Sequence, residues 1–302
     1  VSVRLRRMDS EPFPPVDPGA HIELFLPNGL SRSYSLSNMP EESGTYRITV
    51  ACDANSRGGS MYIHNVLRVG DSLEVSEQRN NFHLDHTADF SLFIAGGIGV
   101  TPFVPMIARL NRRGKSWRLY YCVRTRNRAA LLKNLESLLT EGNGEIILNF
   151  DEEPGGRILD LPALMSSIAH NTHMYCCGPT GMLDAYRSAA AAAGFSENMV
   201  HFEYFASTGD KATGGGFSVI CERSGVTVCV KSGETILAAL AKAGVFVPDS
   251  CQEGICGSCE TKVIAGEPDH RDMILSSKER DEGKKIMICC SGSRSDQLIL
   301  DC

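Results

Sequence analysis

The chain has 302 residues, 42% of them hydrophobic and 22% charged, an ordinary balance for globular protein, and a formal net charge of −6. No basic arm or patch offsets that charge, which argues against nucleic acid as a partner, and no apolar run is long enough to cross a membrane. Twelve cysteines without a recognisable signal peptide point to the reducing cytoplasm, and the length leaves room for two or three domains.

Residues 1–88 alternate apolar and polar positions in short runs, at 21–26, 46–51 and 71–76, broken by Pro-Gly, Asn-Gly and Val-Gly-Asp turns. The pattern predicts a small antiparallel β-barrel. Val1-Ser-Val-Arg-Leu is strand-like from its first residue, so the beginning of that strand is expected upstream. Arg32, Tyr34 and Ser35 follow the Pro27-Asn28-Gly29 turn, and Arg57-Gly58-Gly59-Ser60 precedes a helical run from Met61 to Leu67. Two guanidinium groups and a glycine-rich helix start, with Ser60 as N-cap, make a cradle for a phosphate monoester, and Tyr34 suits the face of an aromatic ring system. The plainer alternative is an exposed arginine beside a packed tyrosine.

From residue 89 strands alternate with helices. A strand at 90–94 runs into Ala95-Gly96-Gly97-Ile98-Gly99-Val100-Thr101-Pro102, after which Phe103, Ile107 and Leu110 recur at helical spacing, with Pro102 in the first turn. Such a turn lets backbone at Gly97 and Gly99 approach a pyrophosphate, although it is not the Rossmann fingerprint. Strands follow at 117–123 and 145–150 around a helix marked by Leu131, Leu135 and Leu138. A strand at 173–177 then leads through Gly178-Pro179-Thr180-Gly181 into an alanine-rich helix reaching Ala193, and a last strand occupies 201–205. The alternation predicts a parallel sheet covered by helices, with its binding crevice at the carboxyl ends of the strands. Arg124, Arg126 and Arg128 follow the second sheet strand, where an adenosine ribose is expected. Arginines there suit a 2′-phosphate, an acidic residue would reject one, and a solvated charge run is the third possibility.

Residues 207–216 are small, polar and glycine-rich, the composition of a flexible linker. Beyond them 217–221 and 226–230 flank Glu222-Arg-Ser-Gly225 as a hairpin, and 235–242 reads as a short helix. Cys251, Cys256 and Cys259 then stand in nine residues, with Cys289 far downstream beside Cys290. That is the spacing of a plant-type 2Fe-2S cluster. Gly254 and Gly257 let one loop fold back with its N–H groups free to face the sulfurs. A zinc site usually comes as two C-x2-C knuckles, which is not the pattern here. Cys289 is preferred to Cys290 because neighbouring side chains in a strand point to opposite faces.

Taken in order, these motifs resemble the phthalate dioxygenase reductase family, the reductase components of Rieske-type oxygenases, including vanillate-type O-demethylases. The resemblance spans essentially the whole chain. It implies a β-barrel flavin domain at 1–88, an α/β parallel-sheet nucleotide domain at 89–206, a linker at 207–216 and a β-grasp ferredoxin domain at 217–302. It implies FMN, its phosphate held by Arg32, Arg57, Gly59 and Ser60 and its ring near Tyr34, Ser35 and the backbone around Thr49 and Val50. NADH is expected on Gly97, Gly99, Thr101, Pro102, Cys177, Gly178 and Pro179, with Ser35, Thr101 and Cys177 nearest the reacting rings. Phe205 reads either as an aromatic cover for flavin or nicotinamide, or as a packed strand end. A flavin between nucleotide and cluster converts one hydride into two single electrons. The implied partner is a Rieske-type oxygenase, met by a monomer; Asp249, Glu260, Glu267 and Asp269 read either as an acidic rim that steers a basic patch on it or, equally, as ordinary solvated carboxylates. A cytochrome or a diiron oxygenase is the alternative acceptor, and a non-enzymatic electron carrier the alternative of another class.

Overall fold

The computed structural model describes residues 1–52, 56, 58–205 and 210–302, which fall into two compact units, Val1–Phe205 and Ala206–Cys302. Arg57 therefore lies outside the described residues.

The first unit begins with β1 (Ser2–Leu5), β2 (His21–Phe25), β3 (Ser31–Ser35), β4 (Tyr46–Thr49), helix α1 (Gly59–Asn65) and β5 (Glu74–Val75). All pairings are antiparallel: β1 with β4, and β2 with both β3 and β5. A bridge between Leu36 and Ile48 and the Ser37 N–H to Arg47 carbonyl bond join the two ladders into a barrel. Ile22, Leu24, Leu36, Tyr46 and Ile48 fill it. The strand expected at 71–76 shrinks to two residues because Asp71 is spent on a turn: its carboxylate accepts the Arg68 N–H at 2.8 Å, and its own N–H returns to the Arg68 carbonyl.

The chain then builds β6 (Phe90–Gly96), α2 (Phe103–Arg112), β7 (Ser116–Val123), α3 (Leu132–Thr140), β8 (Asn143–Phe150), α4 (Leu161–Ser166), β9 (His173–Cys177), α5 (Thr180–Ala192) and β10 (Val200–Glu203). The five strands lie in the order β10-β9-β6-β7-β8, every pair parallel. Because the chain leaves β6 toward β7 and later returns to its other side as β9, the switch point falls at the ends of β6 and β9, where both glycine turns sit. The helix α4, six residues under an Asp160 side chain that accepts the Ala163 N–H, is too short to show a period in sequence. Phe82, just after the barrel, packs on Phe103 and Tyr175 at 6.0 and 5.9 Å, so barrel and sheet share one aromatic core.

The second unit holds β11 (Phe217–Cys221), β12 (Thr227–Val230), α6 (Ile236–Lys242), β13 (Glu260–Ala265), β14 (Pro268–Asp269), α7 (Ser277–Glu282), β15 (Lys285–Met287), β16 (Gly292–Ser293) and β17 (Gln297–Leu300). Its mixed sheet runs β12-β11-β17-β13-β15, with β11 parallel to β17, and α6 packs on it as in a β-grasp. Thr235 caps α6 by accepting the Ala238 N–H. The glycine-rich stretch behaves differently from the flexible linker its composition suggests. Residues 207–209 lie outside the described ones, but 210–216 are bonded to this unit: Ala212 N–H to the Cys290 carbonyl at 2.7 Å, Gly216 N–H to Val230, and Gly233 N–H to Thr213.

Candidate functional site

Three groups of side chains are built by these elements. On the barrel, the Arg32 side chain lies across Gly59: a Cβ there would sit 2.7 Å from its Cγ and 3.1 Å from its Nε. The glycine is what lets the guanidinium stem settle on the start of α1. Its Nη1 donates to the Ser31 carbonyl at 2.7 Å. Ser60 is not the N-cap. That position belongs to Gly58, whose φ of 96° is left-handed, and the hydroxyl that gathers this turn is Ser56, which accepts from Gly58 N–H at 3.1 Å and from Ser60 Oγ at 2.9 Å.

Tyr34 is half-buried and its phenol is pushed up to about 12 by that burial, against the pull of Arg32. Thr49 is buried, and its hydroxyl is shared with those of Ser2 and Ser37 at 2.9 and 3.1 Å. Val50 has its N–H on the Val1 carbonyl, and its own carbonyl receives the Val1 amine and meets His64 Nε2. The Thr49 hydroxyl and the Val50 N–H and carbonyl are thus already engaged within the barrel.

At the sheet's carboxyl end the two glycine turns touch. A Cβ on Gly99 would meet the Cys177 carbonyl oxygen at 2.2 Å, and one on Gly96 would meet Pro179 Cδ at 2.5 Å. Gly97, at φ 56°, has nothing within 4 Å of its missing side chain, which leaves that backbone open to a ligand. Thr101 is buried and donates its hydroxyl to the Ile98 carbonyl at 3.0 Å, and Pro102 immediately precedes α2 as its N-cap. Gly178 and Pro179 carry the chain into α5.

Cys177 is fully buried, its thiol pushed far up by burial and by the carboxyl of Glu203, its register partner on β10. Glu203 in turn accepts a hydrogen bond from Ser35 at 3.4 Å, and burial pushes its carboxyl up to about 8. Ser35, Cys177 and Glu203 therefore meet where barrel and sheet join. Glu203 carries no motif in the sequence; the available signal was a carboxylate at the carboxyl end of the last parallel strand. Phe205 is 40% exposed, whereas Tyr204 is buried, its hydroxyl 3.3 Å from Asp184.

Arg124 pairs with Glu152 at 3.5 Å, and Arg126 lies over the Phe150 ring at 5.0 Å with its N–H on Glu153. Only Arg124 is thus answered by a carboxylate from the end of β8; Glu153 takes the backbone N–H of Arg126, whose guanidinium stays on the Phe150 ring.

In the second unit the cysteine loop Cys251–Cys259 stands beside the turn that carries Cys289. The thiols come as pairs: Cys251 bonds Cys256, pulling it down to about 5, and Cys259 bonds Cys289, pulling it down to about 3. Among the described residues no three His, Cys, Asp or Glu side chains converge as a single-metal site requires. Two sulfur pairs are instead what a two-iron cluster needs, since each iron takes two protein thiolates. The Glu253 N–H points at Cys251 Sγ at 3.3 Å, and the Gly254 N–H at Cys289. Gly254 is at φ 72°, and a Cβ on it would fall 2.5 Å from Cys290 Sγ. The donor set and the cradle fit the cluster.

The argument that Cys290 points to the opposite face does not hold. β15 ends at Met287, and residues 288–290 form a turn in which Cys290 N–H reaches the Met287 carbonyl and the Cys290 thiol also bonds Cys289. The acidic rim is also less bare than its sequence: Glu260 pairs with Lys285 at 3.4 Å, and Asp269 with Arg271 at 2.8 Å.

A barrel joined to a parallel nucleotide sheet, followed by a β-grasp unit with four gathered thiols, defines an oxidoreductase that carries its own ferredoxin. Family models agree unit by unit: an oxidoreductase NAD-binding domain matches 93–188 and a 2Fe-2S iron-sulfur cluster binding domain matches 219–293. Phenoxybenzoate dioxygenase subunit beta of Ectopseudomonas oleovorans is 48% identical over 98% of this chain and 91% of its own. A solved phthalate dioxygenase reductase, described as a modular structure for electron transfer from pyridine nucleotides to [2Fe-2S], is 36% identical with a TM-score of 0.70, covering 100% of this chain and 92% of that one. An intact type IV self-sufficient cytochrome P450 monooxygenase gives 36% identity and a TM-score of 0.89 over the whole chain, which spans only 39% of that larger protein. The chain belongs to the phthalate dioxygenase reductase family. No helix among the described residues is long and apolar enough to cross a membrane.

Proposed function

We propose that this protein is the NADH-dependent reductase component of a Rieske-type oxygenase system, a cytoplasmic monomer with FMN on residues 1–88, NADH on 89–206 and a 2Fe-2S cluster on 217–302. One observation carries the reading: Ser35 of the barrel meets Glu203 and Cys177 at the carboxyl ends of the sheet strands, in a chain that holds two cysteine pairs in its other unit. Bound flavin supplies the change from a hydride pair to single electrons, which neither nucleotide nor cluster can make. Arg32, with Arg57 and the Gly59-Ser60 turn, holds the flavin phosphate, while Tyr34 and the Thr49–Val50 backbone shape the ring site. Gly97, Gly99 and the Thr101-Pro102 helix start take the pyrophosphate, and Gly178 and Pro179 close the turn beneath it. Cys177 fills the floor of the nicotinamide side as an uncharged thiol, and Phe205 covers that side. Cys251, Cys256, Cys259 and Cys289 hold the cluster.

Glu152 answers Arg124 after β7, so a 2′-phosphate on that guanidinium would compete with a carboxylate already in place, which supports NADH over NADPH. The oxygenase partner follows from the 48% identical dioxygenase subunit. The cytochrome P450 relative supports a second reading, a haem monooxygenase acceptor. Purified full-length protein assayed with NADH, against a Rieske oxygenase component on one side and a cytochrome P450 on the other, separates the two. Substrate turnover by the oxygenase that disappears in Cys256→Ser supports the proposal; turnover that survives that variant rejects the route through the cluster.

A further inference from the structure

The segment 210–216, though glycine-rich, is fastened at several points to its own unit, and one of them is the turn that carries Cys289. The Ala212 N–H donates to the Cys290 carbonyl at 2.7 Å. Gly292, three residues beyond Cys289, has no room for a side chain because a Cβ there would sit 2.8 Å from the Ala212 Cβ. Gly215, at φ 65°, passes so close to Lys231 that a Cβ would lie 2.3 Å from its carbonyl carbon, and the Gly233 N–H holds the Thr213 carbonyl at 2.7 Å. A mere tether has no use for such close approaches; each one needs a glycine on one side of the contact.

Cys290 links this strap to the other side of the site. Its carbonyl takes the Ala212 N–H, while its sulfur, buried and 3.6 Å from the Met287 carbonyl, occupies the space beneath Gly254 in the cysteine loop. A shift of the strap thus moves Cys290 by its backbone and reaches the loop through its side chain. The ammonium of Lys211, one residue earlier, bears on Cys289 as well.

We propose that Ala212 and Cys290 are positioning residues of the cluster site, the first fixing the Cys289–Cys290 turn from outside and the second wedging the ligand loop from beneath. The inference rests on the assignment of the cluster to Cys251, Cys256, Cys259 and Cys289. It makes the chain that leaves the nucleotide sheet a part of the cluster's surrounding shell, and such outer contacts tune how firmly a metal centre is held and at what potential.

The test uses full-length protein with its cofactors, measuring the rate at which a chelator removes the cluster's visible absorbance and the cluster's reduction equilibrium against a redox dye. Ala212→Pro, which deletes the N–H, and Gly292→Ala, which pushes on the Ala212 Cβ, should each speed cluster loss at least fivefold and shift the dye equilibrium about threefold, ~28 mV for one electron. Flavin content should be unchanged in both. Ala212→Gly placed in the Gly292→Ala background removes the colliding methyl and should restore the loss rate, and Cys290→Ala should keep the cluster but speed its loss. Wild-type loss rates and potentials in both single variants, or no rescue by the double variant, would overturn the proposal. Failure of the wild-type protein to show any 2Fe-2S spectrum would instead reject the cluster assignment itself.

Discussion

The fold changes the chemistry of Glu203. Burial raises its carboxyl to about 8, so it is protonated at neutral pH and the Ser35 contact is made to an uncharged acid. A raised pKa means that its contribution to stability is complete below the usual carboxylate range and is lost as pH rises through about 8. Glu203→Gln, which keeps the neutral shape, should flatten that loss: in urea unfolding of flavin-free protein, the wild type weakens between pH 6 and pH 9 and the variant does not. Equal slopes would mean that the carboxyl is solvated and ordinary. Cys251, Cys256 and Cys259, proposed as cluster ligands, stood out in the sequence because their spacing is local and chemical. Glu203 did not, because its partner lies 168 positions away and only the completed fold brings them together. Ser56 escaped for a different reason: Ser60 sits at the more familiar capping position, and the choice between them depends on the left-handed Gly58.

Among the elements, the strands with clear alternation or continuous apolar runs were readable, and β9 and β11 have the bounds expected for them. The elements of two to six residues, such as α4 and the β14–β16 pair, were not, since they are held by caps and by partners far away in sequence. The glycine turn before α2 makes a sharp prediction. Gly99→Ala forces a methyl to within 2.2 Å of the Cys177 carbonyl, so the two turns must separate. Steady-state kinetics should show the KM for NADH raised about tenfold or more, a loss of ~1.4 kcal/mol or more in binding, with flavin and cluster content intact. An unchanged KM would place the nucleotide elsewhere.

The ends of β9 and β10 away from this turn carry another testable feature. His173 Nδ1 and His201 Nε2 are 3.0 Å apart, and His173 Nε2 is 3.6 Å from Asp85. Burial, then His173, lowers His201 to about 4. Stability tied to it is present above the usual histidine range and lost as pH falls from about 6.5 toward 4, on the order of 2 kcal/mol. His201→Gln should remove most of that slope in unfolding measured from pH 7 to pH 4.5.

For the whole molecule, the order barrel, parallel sheet, β-grasp was legible because each module changes the hydrophobic period or the cysteine usage of the chain. The behaviour of 210–216 was not, because composition reports freedom of the unfolded segment and says nothing of what it docks against. The neutralised rim also changes an expectation about the partner. With Glu260 and Asp269 already paired to Lys285 and Arg271, and only Asp249 and Glu267 of the expected rim without a cation among the described residues, electron delivery to an oxygenase should fall less than tenfold between 50 and 300 mM salt. A steeper fall would restore the acidic face as the steering surface.

The central claim is that electrons delivered by NADH as hydride pass singly from the flavin to the four-cysteine site inside one chain. Anaerobic addition of NADH to the full-length protein with its cofactors, followed by rapid freezing and electron paramagnetic resonance, tests it directly. The account predicts the signal of a reduced 2Fe-2S cluster growing as the flavin absorbance falls, and its absence in Cys259→Ser although the flavin of that variant still bleaches. A wild-type flavin that is fully reduced by NADH while the cluster stays oxidised would contradict it.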